Sequence, residues 1–206
     1  MFFAVDHPCI KAKMTVLRDK NTSPKEFRER AEEITCFLAY EALKNLHLSE
    51  VPVETPLERT MGAVVENDLV VVPVLRAGIG MLGGIQSLIP TVKVGFIGLQ
   101  RDHSTKHPVK YYLNLPGPSE DAFAIVIDPM LATGGSLSAA VSAVKECGYR
   151  HIVVLTIVSA PEGVAVMERD HPDVKIYSAA LDRELNADKY ILPGLGDAGD
   201  RLFGTL

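Results

Sequence analysis

The run Ala122-Phe123-Ala124-Ile125-Val126-Ile127-Asp128-Pro129-Met130-Leu131-Ala132-Thr133-Gly134-Gly135-Ser136 leaves a chain few ways to fold. It reads as a buried apolar strand, an acidic residue, a Thr-Gly-Gly-Ser turn and a helix over 137–147. A strand without period-two alternation is covered on both faces, as in parallel sheets with helices above and below. The Gly-rich turn points backbone N–H groups outward at a helix N-terminus, where the peptide dipoles add about half a positive charge, and a phosphate fits there. Asp128 stands at the carboxyl end of the strand, where open α/β sheets hold their ligands. An anion cradle beside a carboxylate suits a sugar phosphate, with the acid on hydroxyls or on a bound metal. The turn is not a Walker A loop, because no Lys precedes Ser136 and the G-x-x-x-x-G-K spacing is absent. The plainer alternative is a βα turn that uses Gly for its geometry and Ser136 as an N-cap.

The rest of the chain extends the same pattern. Residues 8–47 read as two helices, with Pro8 in the first turn of one. Ser23-Pro24-Lys25-Glu26 forms a capping box that opens the other. Phe27, Ala31, Ile34 and Leu38 then make an apolar stripe at helical spacing, suited to packing on the protein's own core. From residue 69 strand and helix alternate: strand Leu69–Leu75, helix Ile79–Leu88, a strand at 92–99, a polar excursion and a short strand at 109–113. Strand 122–127, helix 137–147, strand 152–159, helix 163–170 and strand 174–178 complete the series. The expected fold class is α/β, a mostly parallel twisted sheet flanked by helices, with an N-terminal helical segment and a loop-rich C-terminal region. The 206 residues show no repeat or linker and fit one domain.

Four segments carry a resemblance to a known family. Ile127–Ser136 resembles the phosphoribosyl-pyrophosphate (PRPP) loop of the type I phosphoribosyltransferases, and its Asp-Pro-Met-Leu-Ala-Thr run is similar to that of the uracil phosphoribosyltransferase family. Val72-Pro73-Val74-Leu75-Arg76-Ala77-Gly78-Ile79-Gly80-Met81, Ala160-Pro161-Glu162-Gly163 and the run from Tyr190 to Thr205 match in the same order. The resemblance implies PRPP binding by Arg76, Arg101, Asp128, Pro129, Met130, Leu131, Ala132, Thr133, Gly134, Gly135, Ser136 and Asp197. It implies uracil binding by Ile191, Gly196, Asp197 and Ala198. The same comparison divides the chain into N-terminal helices at about 8–47, a PRPP-binding core at about 69–180 and a uracil-binding segment at about 190–206. The implied reaction is pyrimidine salvage, in which uracil and PRPP give UMP and pyrophosphate with Mg²⁺ as cofactor. No residue stands out as general base. Arg101 is expected to stabilise the leaving pyrophosphate, on a hairpin that folds over the site. A homo-oligomer, dimer or higher, is expected, and some family members respond to a GTP effector; neither is written in these residues. Open alternatives are a phosphoribosyltransferase for another base and a pyrimidine-responsive nucleic-acid-binding regulator on the same fold.

Charge and composition narrow the field. A formal net charge of −5 disfavours non-specific nucleic-acid binding and obliges an anionic substrate to find local compensation from Mg²⁺, arginines and the helix end. The three cysteines, Cys9, Cys36 and Cys147, lack a C-x-x-C pair and fit reduced thiols in the cytoplasm. The longest apolar runs fall short of the roughly 20 residues of a membrane span. A decoy remains. Gly78-Ile79-Gly80-Met81-Leu82-Gly83 spells G-x-G-x-x-G after a strand, with Asp102 further on, as a dinucleotide fold would ask. The two helices ahead of that strand and the second phosphate turn behind it argue against an NAD enzyme. His103 and His107 could form a metal pair, but a solvated loop is the better reading; Lys106, His107 and Lys110 receive no role.

Overall fold

The structure, a computed structural model, describes residues 1–101 and 108–205. In chain order its elements are β1 (Phe2–Ala4), α1 (Pro8–Arg18), α2 (Pro24–Ala42), β2 (Leu48–Glu54), β3 (Arg59–Val65), β4 (Leu69–Leu75), α3 (Ile79–Leu88), β5 (Lys93–Val94) and β6 (Phe96–Arg101). There follow β7 (Pro108–Asn114), β8 (Phe123–Ile127), β9 (Met130–Leu131), α4 (Gly135–Glu146), β10 (His151–Ser159), α5 (Pro161–Asp170), β11 (Lys175–Leu181), β12 (Glu184–Leu185), β13 (Ile191–Leu192) and α6 (Ala198–Phe203).

The central sheet runs β1-β11-β10-β8-β4-β6-β7, with β5 beside β4 and β9 beside β10. All of its pairings are parallel except β6–β7. Alternate residues of each central strand feed opposite faces. Val71, Ile125, Ile127, Val153 and Leu155 join α1, α2 and α3 in one core. Val70, Val72, Val126 and Val154 join α4 and Met167 of α5 in the other. The covering helices therefore change sides between β8 and β4, which lie side by side with Pro73 opposite Ile127. That is a topological switch point, and the crevice outside the strands' carboxyl ends is where such sheets hold ligands.

Local chemistry explains most boundaries. The Ser23 Oγ accepts from the Glu26 N–H at 3.3 Å, so that half of the expected capping box forms. His7 caps α1 by accepting from the Cys9 N–H at 3.1 Å, which no sequence rule had flagged. Several expectations need correction. The second helix ends at Ala42, not near residue 47. The strand expected at 92–99 is two strands broken at Gly95, where a Cβ would meet the Asn114 carbonyl at 3.0 Å. Helix α4 starts at Gly135 with Gly134 as its N-cap, so Ser136 is inside the helix and is not the cap. The edge strand β1 and the hairpins β2–β3 and β12–β13 have no counterpart in the sequence reading.

The decoy glycines receive a packing explanation. Gly80 is covered by Leu202 of α6, and Gly84 lies against the Glu32 carbonyl and Thr35 of α2. Gly83 is covered by the Glu32 carboxylate. These three positions let α2, α3 and α6 approach closely, and none of them lines the crevice at the switch point. Asp102, His103, Lys106 and His107 lie outside the described residues. Lys110 is described and sits 3.9 Å from Glu146.

Candidate active site

The turn expected to hold phosphate is built almost entirely from one stretch of chain. Strand β8 delivers Asp128 to its carboxyl end, and the Asp128 Oδ1 accepts from the Met130 N–H at 3.2 Å. The Pro129 carbonyl accepts from the Ile157 and Val158 N–H groups at 3.1 and 3.0 Å, and β9 then pairs with the end of β10. Gly134 adopts φ +80°, and a Cβ there would come within 2.9 Å of the Gly163 carbonyl. Gly163 in turn leaves room for the Ala132 carbonyl, which a Cβ would approach to 2.5 Å. Its neighbour Glu162 accepts from the Leu185 N–H at 2.9 Å, a bond that lowers the acid's pKa and ties α5 to the β12–β13 hairpin.

Gly135 differs from both of these glycines. Its φ lies outside the left-handed region, and a Cβ would meet nothing nearer than the Thr133 Oγ1 at 4.0 Å. Neither backbone geometry nor packing within the chain demands glycine at the first residue of α4. Open space over a helix N-terminus is what an approaching phosphate requires.

Asp128 is half-buried at the foot of this turn. Burial pushes its carboxyl up to about 7, against a smaller lowering by the Met130 N–H. A carboxylate poised this way gains charge readily once a cation or hydroxyl donors arrive.

The second wall comes from β4 and its turn. Gly78 brings that turn against β8, where a Cβ would lie 2.6 Å from the Ile127 carbonyl. Arg76 is exposed, and its Nη2 lies 4.0 Å from where a Gly199 Cβ would stand, so the guanidinium sits at the start of α6. Arg101 ends β6 opposite Pro108 of β7, which bears out the hairpin; its side chain lies outside the described residues.

The third wall is the C-terminal segment, and distant residues hold it. Asp182, buried at the end of β11, accepts from the Gly194 N–H at 2.9 Å. Arg18 of α1 grips both Asp182 oxygens at 2.8 and 2.6 Å and donates to the Gly194 carbonyl at 2.7 Å. Arg201 lies 4.4 Å from the Phe27 ring centroid. It donates to the carbonyls of Leu17, Leu195 (2.8 Å) and Asp19 (2.5 Å). Arg28 reaches the Leu202 carbonyl at 2.7 Å. Gly196 has φ +82°, and Asp197 caps α6 by accepting from the Asp200 N–H at 3.0 Å. Sequence reasoning missed Arg18, Asp182, Arg28 and Arg201 as supports, because their partners lie up to 184 residues away.

These walls enclose a cavity of about 350 Å³. Of the expected residues, Asp128, Met130, Leu131, Ala132, Thr133, Gly134, Ser136, Ile191, Gly196, Asp197 and Ala198 line it. Pro129, Gly135 and Arg76 stand outside that lining. Ala77, Leu137, Asp188, Lys189, Tyr190 and Gly199 line it and were not anticipated. Two wider clefts, of about 700 and 750 Å³, meet at Tyr40 and contain none of the expected residues. Among the described residues no group of three or more His, Cys, Asp and Glu could hold a metal ion. No described helix is long and apolar enough to cross a membrane.

Comparison with known proteins agrees with this architecture over its whole length. Residues 4–205 match the family model described as uracil phosphoribosyltransferase. The uracil phosphoribosyltransferase of Dictyoglomus thermophilum is 54% identical over all 206 residues and the whole of its own chain. That of Thermosipho africanus is 52% identical, covering 98% of this chain and 97% of the relative. The AQ2163 protein from Aquifex aeolicus superposes with a TM-score of 0.93 at 36% identity, over 98% of each chain. Adenine phosphoribosyltransferase from Trypanosoma brucei shares the fold, with a TM-score of 0.60 at 16% identity over 87% of this chain and 83% of its own.

Proposed function

The chain belongs to the uracil phosphoribosyltransferase family, and we propose that the cavity at the β8–β4 switch point is where it works. The protein is a pentosyltransferase of pyrimidine salvage: it moves the 5-phosphoribosyl group of PRPP onto uracil, giving UMP and pyrophosphate. The observation that supports this location best is that the phosphate turn and the 191–199 segment wall one cavity.

In this reading the N–H groups at the start of α4, with Thr133 and Ser136, hold the 5′-phosphate, and Gly135 leaves it room. Asp128 meets the ribose hydroxyls. Arg76 receives pyrophosphate, and Arg101, at the end of β6, is assigned to the same leaving group by the family resemblance. Arginine suits both positions, because its fixed fork of donors matches phosphate oxygens and keeps its charge. Ile191, Gly196 and Ala198 offer uracil a rigid backbone edge, and Asp197 faces the ribose. A site whose buried donors and acceptors match one base rejects others strongly, because unpaired polar groups cost free energy.

Little covalent work falls to the protein. Positive charge grows at the ribose C1 as pyrophosphate leaves, and a uracil ring nitrogen forms the new bond as the C1–O bond breaks. Catalysis is then positioning and stabilisation of charge on the leaving group. Mg²⁺, when bound with PRPP, would neutralise pyrophosphate charge. Asp128 and Asp197 both line the cavity and are the carboxylates that would meet that ion.

Assembly and setting follow the same reading. We place the chain in a homo-oligomer and in the cytoplasm. The β2–β3 hairpin exposes Leu48, Val53, Met61, Val64 and Val65, and a lone two-stranded hairpin is marginal in water. The three cysteines are free, as in a reducing compartment. A GTP effector is a further expectation from the family, read as a change in turnover on adding GTP. The reaction is tested by pyrophosphate release with PRPP and uracil, cytosine, orotate, hypoxanthine or adenine. Turnover confined to uracil is expected, and equal turnover with orotate or hypoxanthine would overturn it.

A further inference from the structure

Lys189 combines two features that the reaction as described above does not use. It is the one non-glycine residue with positive φ among the described residues, at +68°. It also lines the substrate cavity, together with Thr133, Gly134 and Ser136 of the turn.

The backbone around it is fixed. Strands β12 and β13 pair Leu185 with Ile191, leaving a tight loop between them. The Lys189 N–H donates to the Asn186 carbonyl at 3.0 Å, and the Asn186 N–H donates to the Tyr190 carbonyl at 2.8 Å. The Asn186 Oδ1 takes the Tyr190 N–H at 2.9 Å. A β-turn followed by a left-handed residue is a common hairpin closure, and glycine normally fills the left-handed place. Lysine there costs stability, so an outlier of this kind points toward function.

Charge supplies the independent argument. The residues lining the cavity include the carboxylates of Asp128, Asp188 and Asp197, and Lys189 is their one lysine or arginine among the described residues. Lys189 is exposed, and among the described residues no carboxylate lies within ion-pairing distance of its ammonium, which leaves it available to an incoming anion.

We propose that Lys189 is a substrate-binding residue whose ammonium contacts a phosphate of the phosphoribosyl substrate and of the nucleotide product. This rests on the cavity being the PRPP and UMP site. A phosphate monoester carries about −1.5 to −2 charge at pH 7, and an exposed lysine contact to it is screened by salt. Lys189 thus strengthens the phosphate side of the cavity from the hairpin that also carries the base segment.

The test uses the full chain and the variants Lys189→Gly and Lys189→Asn, both suited to left-handed backbone and both uncharged. UMP and uridine are titrated calorimetrically into wild type and each variant at low and high salt, beside a thermal melt. The expected result is a UMP Kd raised about five-fold at low salt in both variants, which matches about 1 kcal/mol. That difference should shrink at high salt, the uridine Kd should not move, and Lys189→Gly should melt no lower than wild type. A UMP Kd within two-fold of wild type, or equal losses for UMP and uridine, would overturn the proposal. Failure of the wild type itself to bind UMP would instead overturn the placement of the site.

Discussion

The two halves of the cavity are built in opposite ways. The turn between Asp128 and Ser136, to which we assign the 5′-phosphate, is a local object. A buried strand, a few backbone hydrogen bonds and a helix start shape it, and it meets β10 through backbone pairing. The segment between Ile191 and Gly199, to which we assign the base, is a remote assembly. Its loop stands because Arg18, Asp182, Arg28 and Arg201 tie it to helices at the other end of the chain. A local turn can fail only by losing its own geometry. A remote one can fail when a residue far from any substrate is changed.

Gly135→Val offers the sharpest way to break this contrast. The side chain would fill the space over the start of α4, so affinity for Mg·PRPP should fall at least about a hundred-fold, or about 2.7 kcal/mol. No neighbour within the chain is displaced, so the melting temperature should stay near wild type. A large loss of stability would mean that Gly135 serves the fold, as Gly134 does.

Arg101→Ala probes the arginine proposed for the leaving group. The expected result is a kcat lower by roughly ten- to a hundred-fold, with a smaller change in KM for PRPP, because the proposed contact matters most as pyrophosphate leaves. A pure KM effect would assign Arg101 to capture alone.

Arg18→Met attacks the base half from a distance. It leaves the Asp182 carboxylate buried without its partner, so unfolding stability should drop by roughly 3 kcal/mol and Tm by roughly 6–10 °C. KM for uracil should rise about ten-fold while PRPP affinity holds, since a loosened Gly194 degrades orientation on the base side. Equal effects on both substrates would merge the two halves into one unit.

Asp128→Asn gives the smallest and most diagnostic shift. The folded-state pKa of about 7 stands above the ordinary aspartate value, so the folded protein holds a proton that the unfolded chain has released between about pH 4 and 7. The cost of ionising Asp128 in the fold is therefore fully present above pH 7 and fades as pH falls. Without ligand the variant should melt a few degrees above wild type at pH 8, with the gap narrowing as pH falls below about 7 and closing only below about pH 4. A gap that does not narrow between pH 8 and about pH 4 would indicate a packing change and not a charge.

The contrast also explains what could be read from the sequence. Continuous Val and Ile runs gave away β4, β8 and β10, because a strand buried on both faces has no polar period to confuse it. The phosphate turn was legible for the same reason that it is local. Strand β1 is only three residues long at a sheet edge, and β2–β3 exposes most of both strands, so neither leaves an apolar pattern to follow. The base segment was recognisable only through its resemblance to a family. Its supports were invisible, since nothing in Arg18 or Asp182 alone announces a bidentate pair across 164 residues. The G-x-G-x-x-G run shows the converse, a local motif whose Gly80 and Gly83 answer to distant packing against Leu202 and Glu32.

One calorimetric experiment tests the division of labour directly. Mg·PRPP is titrated into wild type, Gly135→Val and Arg18→Met under one set of conditions, each folded by circular dichroism. Tight binding by wild type and by Arg18→Met is expected, with affinity at least about a hundred-fold weaker in Gly135→Val. Near-normal affinity in Gly135→Val, or loss of PRPP binding in Arg18→Met equal to that in Gly135→Val, would contradict it.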